Sequence, residues 1–408
     1  MSASTDEPLV VHTRALDAPV HDLLTLLPPD APVTWLRRGE GLVGWGVAAI
    51  IRTSGPTRFA DAAKWWSELL ARAEVVDEVE EPGTGPVCFG SFAFSDEPGD
   101  SVLVVPRVIV GTRGDVAWVT SVGGPANLEH HELPAPPVVT FADGALNSEQ
   151  WMSVVADAVT RIDAGELEKV VLARDLVATA DATIDVRWPL ARLASTYPMC
   201  WTFHVDGMFG ATPEMLVRRE RGLVTSRVLA GTIRRTGDDE HDLALAGALA
   251  RSSKDLEEHE YAVRSVAEAL EPHCSGMNVP DTPFVLHLPN VMHLATDVAG
   301  VVHDAASSLQ LAEALHPSAA VGGTPTAAAV ALITEIEGMD RGRYAGPVGW
   351  MDASGDGEWG IALRSAAVEG QTVRLFAGCG IVADSDPEAE LAEAQAKFVP
   401  VRDALEGI

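Results

Sequence analysis

TVRLFAGCGIVADSDPEAELAEAQAKFVPVRDAL, residues 372–405, holds a strand, a turn and a helix in one run. Residues 372–382 are apolar and end in an Ala-Gly-Cys-Gly segment, which predicts a strand whose bare backbone N–H groups a carboxylate can approach closely. The acids from Asp384 onward and Pro387 then open a helix predicted over 386–405. Its core stripe is Leu391, Ala394, Phe398 and Leu405. Glu390, Glu393 and Lys397 sit one residue, about 100°, to the side of that stripe. Two readings stay open: acids that complement the helix dipole with an ordinary Glu393–Lys397 pair, or a face that borders a pocket.

The rest of the chain repeats the alternation of short strands with helices. The first 140 residues offer β-like runs at 86–94, 101–111 and 115–124, with one helix at 59–75. A proline-rich stretch, 129–148, is the best candidate joint. Beyond it, Trp151, Val155, Ala158 and Ile162 mark a helix ended by Gly165, and LEKVVLARDLVAT (167–179) reads as a strand headed by Lys169. Further helices are predicted at 238–250, 255–271, 307–315 and 324–337, and a single long strand at 284–302. No internal repeat is present, so the fold class is α+β, with helices packed on large, mostly antiparallel sheets.

Composition excludes several functions. A net charge of −30, from 59 acidic and 29 basic side chains, and the lack of a Lys/Arg cluster argue against nucleic acid. Four scattered cysteines, Cys88, Cys200, Cys274 and Cys379, form no C-x-x-C pair, so neither a disulfide framework nor a zinc knuckle is indicated, and a cytoplasmic setting is expected. The longest apolar stretch, 41–51, ends at Arg52, well short of a membrane span. No Walker loop, G-x-S-x-G or H-E-x-x-H occurs, and no G-x-G-x-x-G leads from a predicted strand into a helix.

Several residues are candidates for chemistry. SSKDLEEHEYAVRSVAEAL (252–270) places Glu258 and Ala262 beside an inward face, so that two helices can each present a carboxylate to one point, as Mg²⁺ prefers. Lys169 heads an apolar strand, where partial desolvation makes a lysine a usable base. Glu214 follows a Gly-Ala-Thr-Pro turn and precedes apolar residues, a place where a carboxylic acid can stay protonated. Arg364 and Tyr344 can hold a carboxylate by a guanidinium fork and a hydroxyl. Taken singly, each also has a structural reading as a snorkelling, strand-edge or packing residue.

In order along the chain, LEKVVLAR, FGATPEML (209–216), LAGTIRR (229–235), SSKDLEEHE, LHPSAAVGGTP (315–325), GRYAGPVGW (342–350), IALRSA (361–366) and FAGCGIVADSDPEAELAEAQAK resemble the successive motifs of the chorismate-utilizing enzymes. The resemblance covers residues 145–402, with a weaker echo at 88–94. It implies one large domain of two stacked, mostly antiparallel sheets, in which residues 1–140 are a β-rich part of the same fold and 145–402 the catalytic region. It also implies Mg²⁺ held by Glu258 and Glu393 with Glu390 beside them, Lys169 as general base and Glu214 as general acid. Gly231, Thr232, Gly378, Gly380 and Lys397 match positions that contact substrate, Tyr344 and Arg364 those that clasp its enolpyruvyl carboxylate, and His316 heads a motif expected to line the pocket.

Ala320, Val321 and Phe376 match members that bring in water rather than ammonia, which favours isochorismate synthase. Ser318-Ala319 stands where Thr-Pro is common. Salicylate synthase, the chorismate-binding component of anthranilate or aminodeoxychorismate synthase, and a catalytically silent acidic binding protein are the alternatives. No glutaminase partner is expected, and nothing demands more than a monomer.

Overall fold

The structure, a computed structural model, describes residues 8–407 apart from Pro19, Pro134 and residues 288–290; the side chains of Lys254, Asp255 and Glu258 also lie outside the described residues. A 13-stranded and a 10-stranded sheet dominate it. All strand pairs among the described residues are antiparallel except Val10–Ala15 with Glu74–Asp77.

Strand alternation decides where the core lies. In the larger sheet Trp35, Leu42, Ile109 and Trp118 join the core cluster shared with Phe89, Leu103, Val217, Val348 and Trp359 of the smaller sheet. Their chain neighbours Leu36, Val43, Val110 and Val119 point to the opposite face and pack with Leu190, Leu193, Phe398 and Leu405 on helices. A period of two thus buries both faces of one sheet, the inner against strands and the outer against helices. The N-terminal residues are woven into both sheets: Val33–Arg37 pairs with Trp201–Val205, and Val87–Ser91 with Pro347–Asp352.

Four segments pass directly between the sheets: Glu40–Trp45 leads into Ala49–Thr53, Ser101–Val105 into Val108–Arg113, and the other two build one corner. Met208–Thr212 lies in the larger sheet and runs through Pro213 and Glu214 into Met215–Glu220 of the smaller; Gly357–Ile361 of the smaller runs through residues 362–364 into Ser365–Glu369 of the larger. They cross side by side, with Ile361 N donating to Glu214 O at 3.1 Å and Ala211 N to Arg364 O at 3.2 Å. Crossing strands splay the sheets, and the space so opened is where Glu214 and Arg364 sit.

The predicted helices appear as Arg58–Leu70, Asp239–Leu249, Ser253–Leu270, Ser308–Ala314, Thr326–Ile336 and Pro387–Glu406. The expected single strand over 284–302 is instead two strands, Phe284–His287 and Val291–Val302, which pair with each other. A helix at Arg187–Thr196 escapes the sequence reading, since Pro189 in its first turn and its mixed composition mask the periodicity. No helix among the described residues is long and apolar enough to cross a membrane.

Helix Ser148–Asp163 braces the strand Lys169–Ala180: Trp151 is fully buried and its Nε1 donates to Ala173 O at 3.1 Å. Trp151→Phe is expected to lower stability by about 1 kcal/mol through the lost hydrogen bond, and Trp151→Ala by about 3–5 kcal/mol through the cavity, read as shifts of the urea midpoint.

Candidate active site

At the splayed corner lies a cavity of about 720 Å³. The crossing segments supply Glu214, Leu363 and Arg364 to its wall, and the strand Leu223–Arg234 supplies Leu229 to Thr232. Lys169 opens the strand Lys169–Ala180; Gly378 and Gly380 come from its neighbour Thr372–Ile381, and Ala320 and Val321 from the turn after His316. The last helix, Pro387–Glu406, contributes Glu390, Glu393 and Lys397, the boundary face beside its buried stripe.

Local backbone explains several of these placements. The register of Leu223–Arg234 slips between Ala230 and Thr232, and Gly231 takes φ +76° there, a conformation that glycine adopts without a steric penalty. The slip sets Thr232 opposite His293, and Thr232 Oγ1 lies 2.9 Å from His293 Nδ1. Arg364 carries φ +49°, an uncommon conformation for a side-chain-bearing residue, and it turns the guanidinium into the cavity. A Cβ on Gly380 would stand 2.9 Å from Lys169 Cε, so glycine leaves room for that amine.

Four cations, Lys169, Arg341, Arg364 and Lys397, stand on the cavity wall among seven carboxylates. Lys397 Nζ donates to Gly378 O at 2.8 Å and pairs with Glu393 at 2.6 Å. Burial would raise the Glu393 carboxyl, but Lys397, with Arg364 and His293, holds it below its ordinary value. Burial pushes Glu390 up, opposed by the Ser385 hydroxyl, which donates to it at 2.8 Å. Burial also lifts Glu214 to about 6, against the pull of Arg364, Lys397 and Lys169. Burial raises the Tyr344 hydroxyl as well, which keeps it a donor, and its ring stacks on Phe376 at 5.0 Å. His293 is held down to about 3, first by burial and then by Arg364 and Lys397.

Glu390, Glu393 and Cys379 offer ligand atoms within 4.8 Å of one another. The Cys379 thiol is buried and turned to the Glu390 carbonyl at 3.4 Å, which leaves carboxylate oxygens as the donors. Hard oxygen donors beside a cavity open to water and to an anionic ligand fit Mg²⁺ rather than a thiophilic metal. The side chain of Glu258 lies outside the described residues; its helix lines the cavity with Glu257, Tyr261 and Ala262.

Lys169, Glu214, Glu390, Glu393, Gly231, Thr232, Ala320, Val321, Tyr344, Arg364, Gly378, Gly380 and Lys397 therefore meet around one space. Phe376 stands behind Tyr344 rather than on the wall. His316 does not reach the cavity, contrary to expectation: its Nε2 lies 2.9 Å from Phe94 O and its ring beside Phe59 and Phe94, an apolar setting that satisfies the imidazole locally. The sequence reading missed His293 and Arg341, which also line the cavity. A histidine breaking the apolar run NVMHLAT was the available signal for the first, but only strand register sets it against Thr232.

The Glu214 shift has a stability consequence. The folded protein binds this proton more tightly than the unfolded chain, whose carboxyl titrates near 4.5. The stabilisation is complete below pH 4.5 and is lost as pH rises through about 6, so that near neutrality the buried carboxylate costs about 2 kcal/mol. Glu214→Gln is therefore expected to raise the melting temperature at neutral pH and to give no gain below the unfolded pKa, as measured by thermal denaturation across pH.

The family model described as chorismate binding enzyme matches residues 33–122 and 125–406. The chain is 33% identical to the isochorismate synthase MenF of Bacillus subtilis over 402 residues, covering 90% of this chain and 85% of that one. It is 36% identical to the isochorismate synthase DhbC of the same organism over 354 residues, 83% and 86% of the two chains. Among solved structures, the Bacillus anthracis DhbC, described as a candidate 2,3-dihydroxybenzoate-specific isochorismate synthase, aligns with a TM-score of 0.78 at 32% identity over 94% of this chain and 98% of its own. With the motifs gathered around one cavity and nearly the whole length matched, the chain belongs to the family of chorismate-binding enzymes.

Proposed function

We propose that this protein isomerises chorismate to isochorismate. The observation that carries the reading is the placement of Lys169 and of Glu214, a carboxylic acid lifted to about 6, on the wall of one cavity that also holds Arg364 and Lys397. The names of its relatives, isochorismate synthases MenF and DhbC, support it.

In this reading Arg364 and the Tyr344 hydroxyl grip the enolpyruvyl carboxylate, and the ring carboxylate lies toward Lys397 and the last helix. Glu390 and Glu393, with Glu258, would hold Mg²⁺, which supplies a positive charge for the ring carboxylate. Lys169 takes a proton from a water as its oxygen bonds to C2. Both ring double bonds move one position, the C4–O bond breaks, and Glu214 gives its proton to the departing hydroxyl. One water enters and one leaves, so the product is an isomer, and both groups reset by proton exchange with solvent. Holding base, acid and ring in one geometry is what makes the exchange fast.

Incubation of the protein with chorismate and Mg²⁺, followed by chromatography and mass analysis, is expected to give an isomer of unchanged mass and no pyruvate, with loss of activity in EDTA. Salicylate with pyruvate would instead mark the bifunctional branch, and an ammonium-dependent amino product a component that works with a glutaminase. Lys169→Ala and Glu214→Ala are each expected to lower kcat by about 10²–10⁴-fold while leaving the fold intact. Glu393→Ala is expected to act mainly by weakening Mg²⁺-dependent substrate binding.

Gly380→Ala isolates the placement of the base. The new methyl meets only the flexible end of Lys169, so the melting temperature should hardly move while kcat falls about tenfold or more. An unchanged kcat would remove the requirement for Lys169 at this spot.

A further inference from the structure

The strand that begins with Lys169 is incomplete on one side. One edge is paired throughout Val170–Thr179 by Thr372–Ile381. The other edge is paired only at its ends, Lys169 and Val170 with Thr324 and Gly323, and Leu176 to Ala180 with Asp143 to Val139. Between these ends no strand is present among the described residues, yet the outward backbone groups of Val171 and Ala173 are bonded. Val171 N donates to Gly322 O at 2.9 Å. Arg341 Nη2 donates to Val171 O at 2.6 Å, Ala173 N donates to Glu337 Oε2 at 3.2 Å, and Trp151 Nε1 donates to Ala173 O.

Glu337 and Arg341 are themselves paired, with Nε at 2.8 Å and Nη2 at 2.6 Å from the two carboxylate oxygens, and their side chains are 0% and 2% exposed. Arg341 Nη1 donates to Val321 O at 3.0 Å, and Arg341 O accepts from Tyr344 N at 3.0 Å. The ion pair thus touches the strand of Lys169 and the turn of Val321, and the backbone of Arg341 carries the same anchorage to Tyr344. A buried pair of this kind adds little stability over a well-packed apolar one, so stability alone does not account for it.

We propose that Glu337 and Arg341 are positioning residues of the reaction: standing in for a missing strand, they hold the Lys169 strand, the Val321 turn and Tyr344 in one frame. The proposal rests on the isochorismate synthase reading given above. Its geometric content, a side-chain ladder fixing residues 171–173, is separable from that reading.

The test compares Glu337→Gln and Arg341→Lys with the unaltered protein. Hydrogen exchange of peptides covering residues 169–175 is measured alongside steady-state kinetics with chorismate and Mg²⁺, well below the lowest melting temperature. Exchange in this segment is expected to accelerate about tenfold or more while the rest of both sheets stays protected. The value of kcat per folded molecule is expected to fall about a hundredfold, with KM for chorismate changed by less than about threefold. Trp151→Phe, which removes another rung of the same gap without altering a charge, is expected to shift exchange and kcat in the same direction by a smaller factor; it carries the test if the charged variants do not fold.

Variants that melt earlier but keep kcat and local exchange would overturn the proposal, because the pair would then serve stability alone. A loss confined to KM would overturn it too, assigning Arg341 to substrate contact instead. Should the unaltered protein make no isochorismate, the functional reading fails, and local exchange alone decides whether the pair fixes this segment.

Discussion

The cavity exists because two chain segments cross together from one sheet into the other and are bonded where they cross. Two large twisted sheets can be stacked over an apolar core only while their strands stay in layers. Where Thr212 gives way to Met215, and Ile361 to Ser365, the layers must part. The bonds from Ile361 to Glu214 and from Ala211 to Arg364 keep the parted corner from collapsing or fraying. An acid and a cation are thereby anchored on backbone that has no freedom to drift.

This corner gathers four cations in an acidic molecule, although carboxylates still outnumber them on its wall. A chain of net charge −30 repels anions at long range, but screening limits that repulsion to about 10 Å in ordinary buffer. Inside the cavity the effective dielectric is lower, and Lys169, Arg364 and Lys397 act at short range, whereas Arg341 is paired with Glu337. Glu393 and Lys397 offset one another as a pair, and burial lifts Glu214 to about 6, so that its charge is lost as pH falls below that value. Local arrangement, not the overall sum, decides what the site can bind.

Much of this could be read from the residues. The final helix announced its buried stripe and its functional edge, because a period near 3.6 places Leu391, Ala394 and Phe398 on one side and Glu390, Glu393 and Lys397 beside it. Lys169 and Glu214 stood out as charged residues against apolar neighbours. What escaped reading were pairing relations: that of Thr232 with His293, the gap beside Val171 that Arg341 fills, and the division of residues 284–302 into two strands. His316 shows the limit from the other side, since a motif position says nothing about which way a ring turns. Local periodicity is written in neighbouring residues, whereas register and crossing depend on partners that stand from several to 170 positions away.

Arg364 illustrates a conflict between durability and work. Its left-handed backbone, at φ +49°, is about 1–2 kcal/mol easier for glycine than for arginine. A search for heat-tolerant variants would therefore be drawn to a glycine at this corner and would discard the guanidinium with the strain. Selection for endurance alone would erode the site from within, leaving a sturdier protein with a vacant grip.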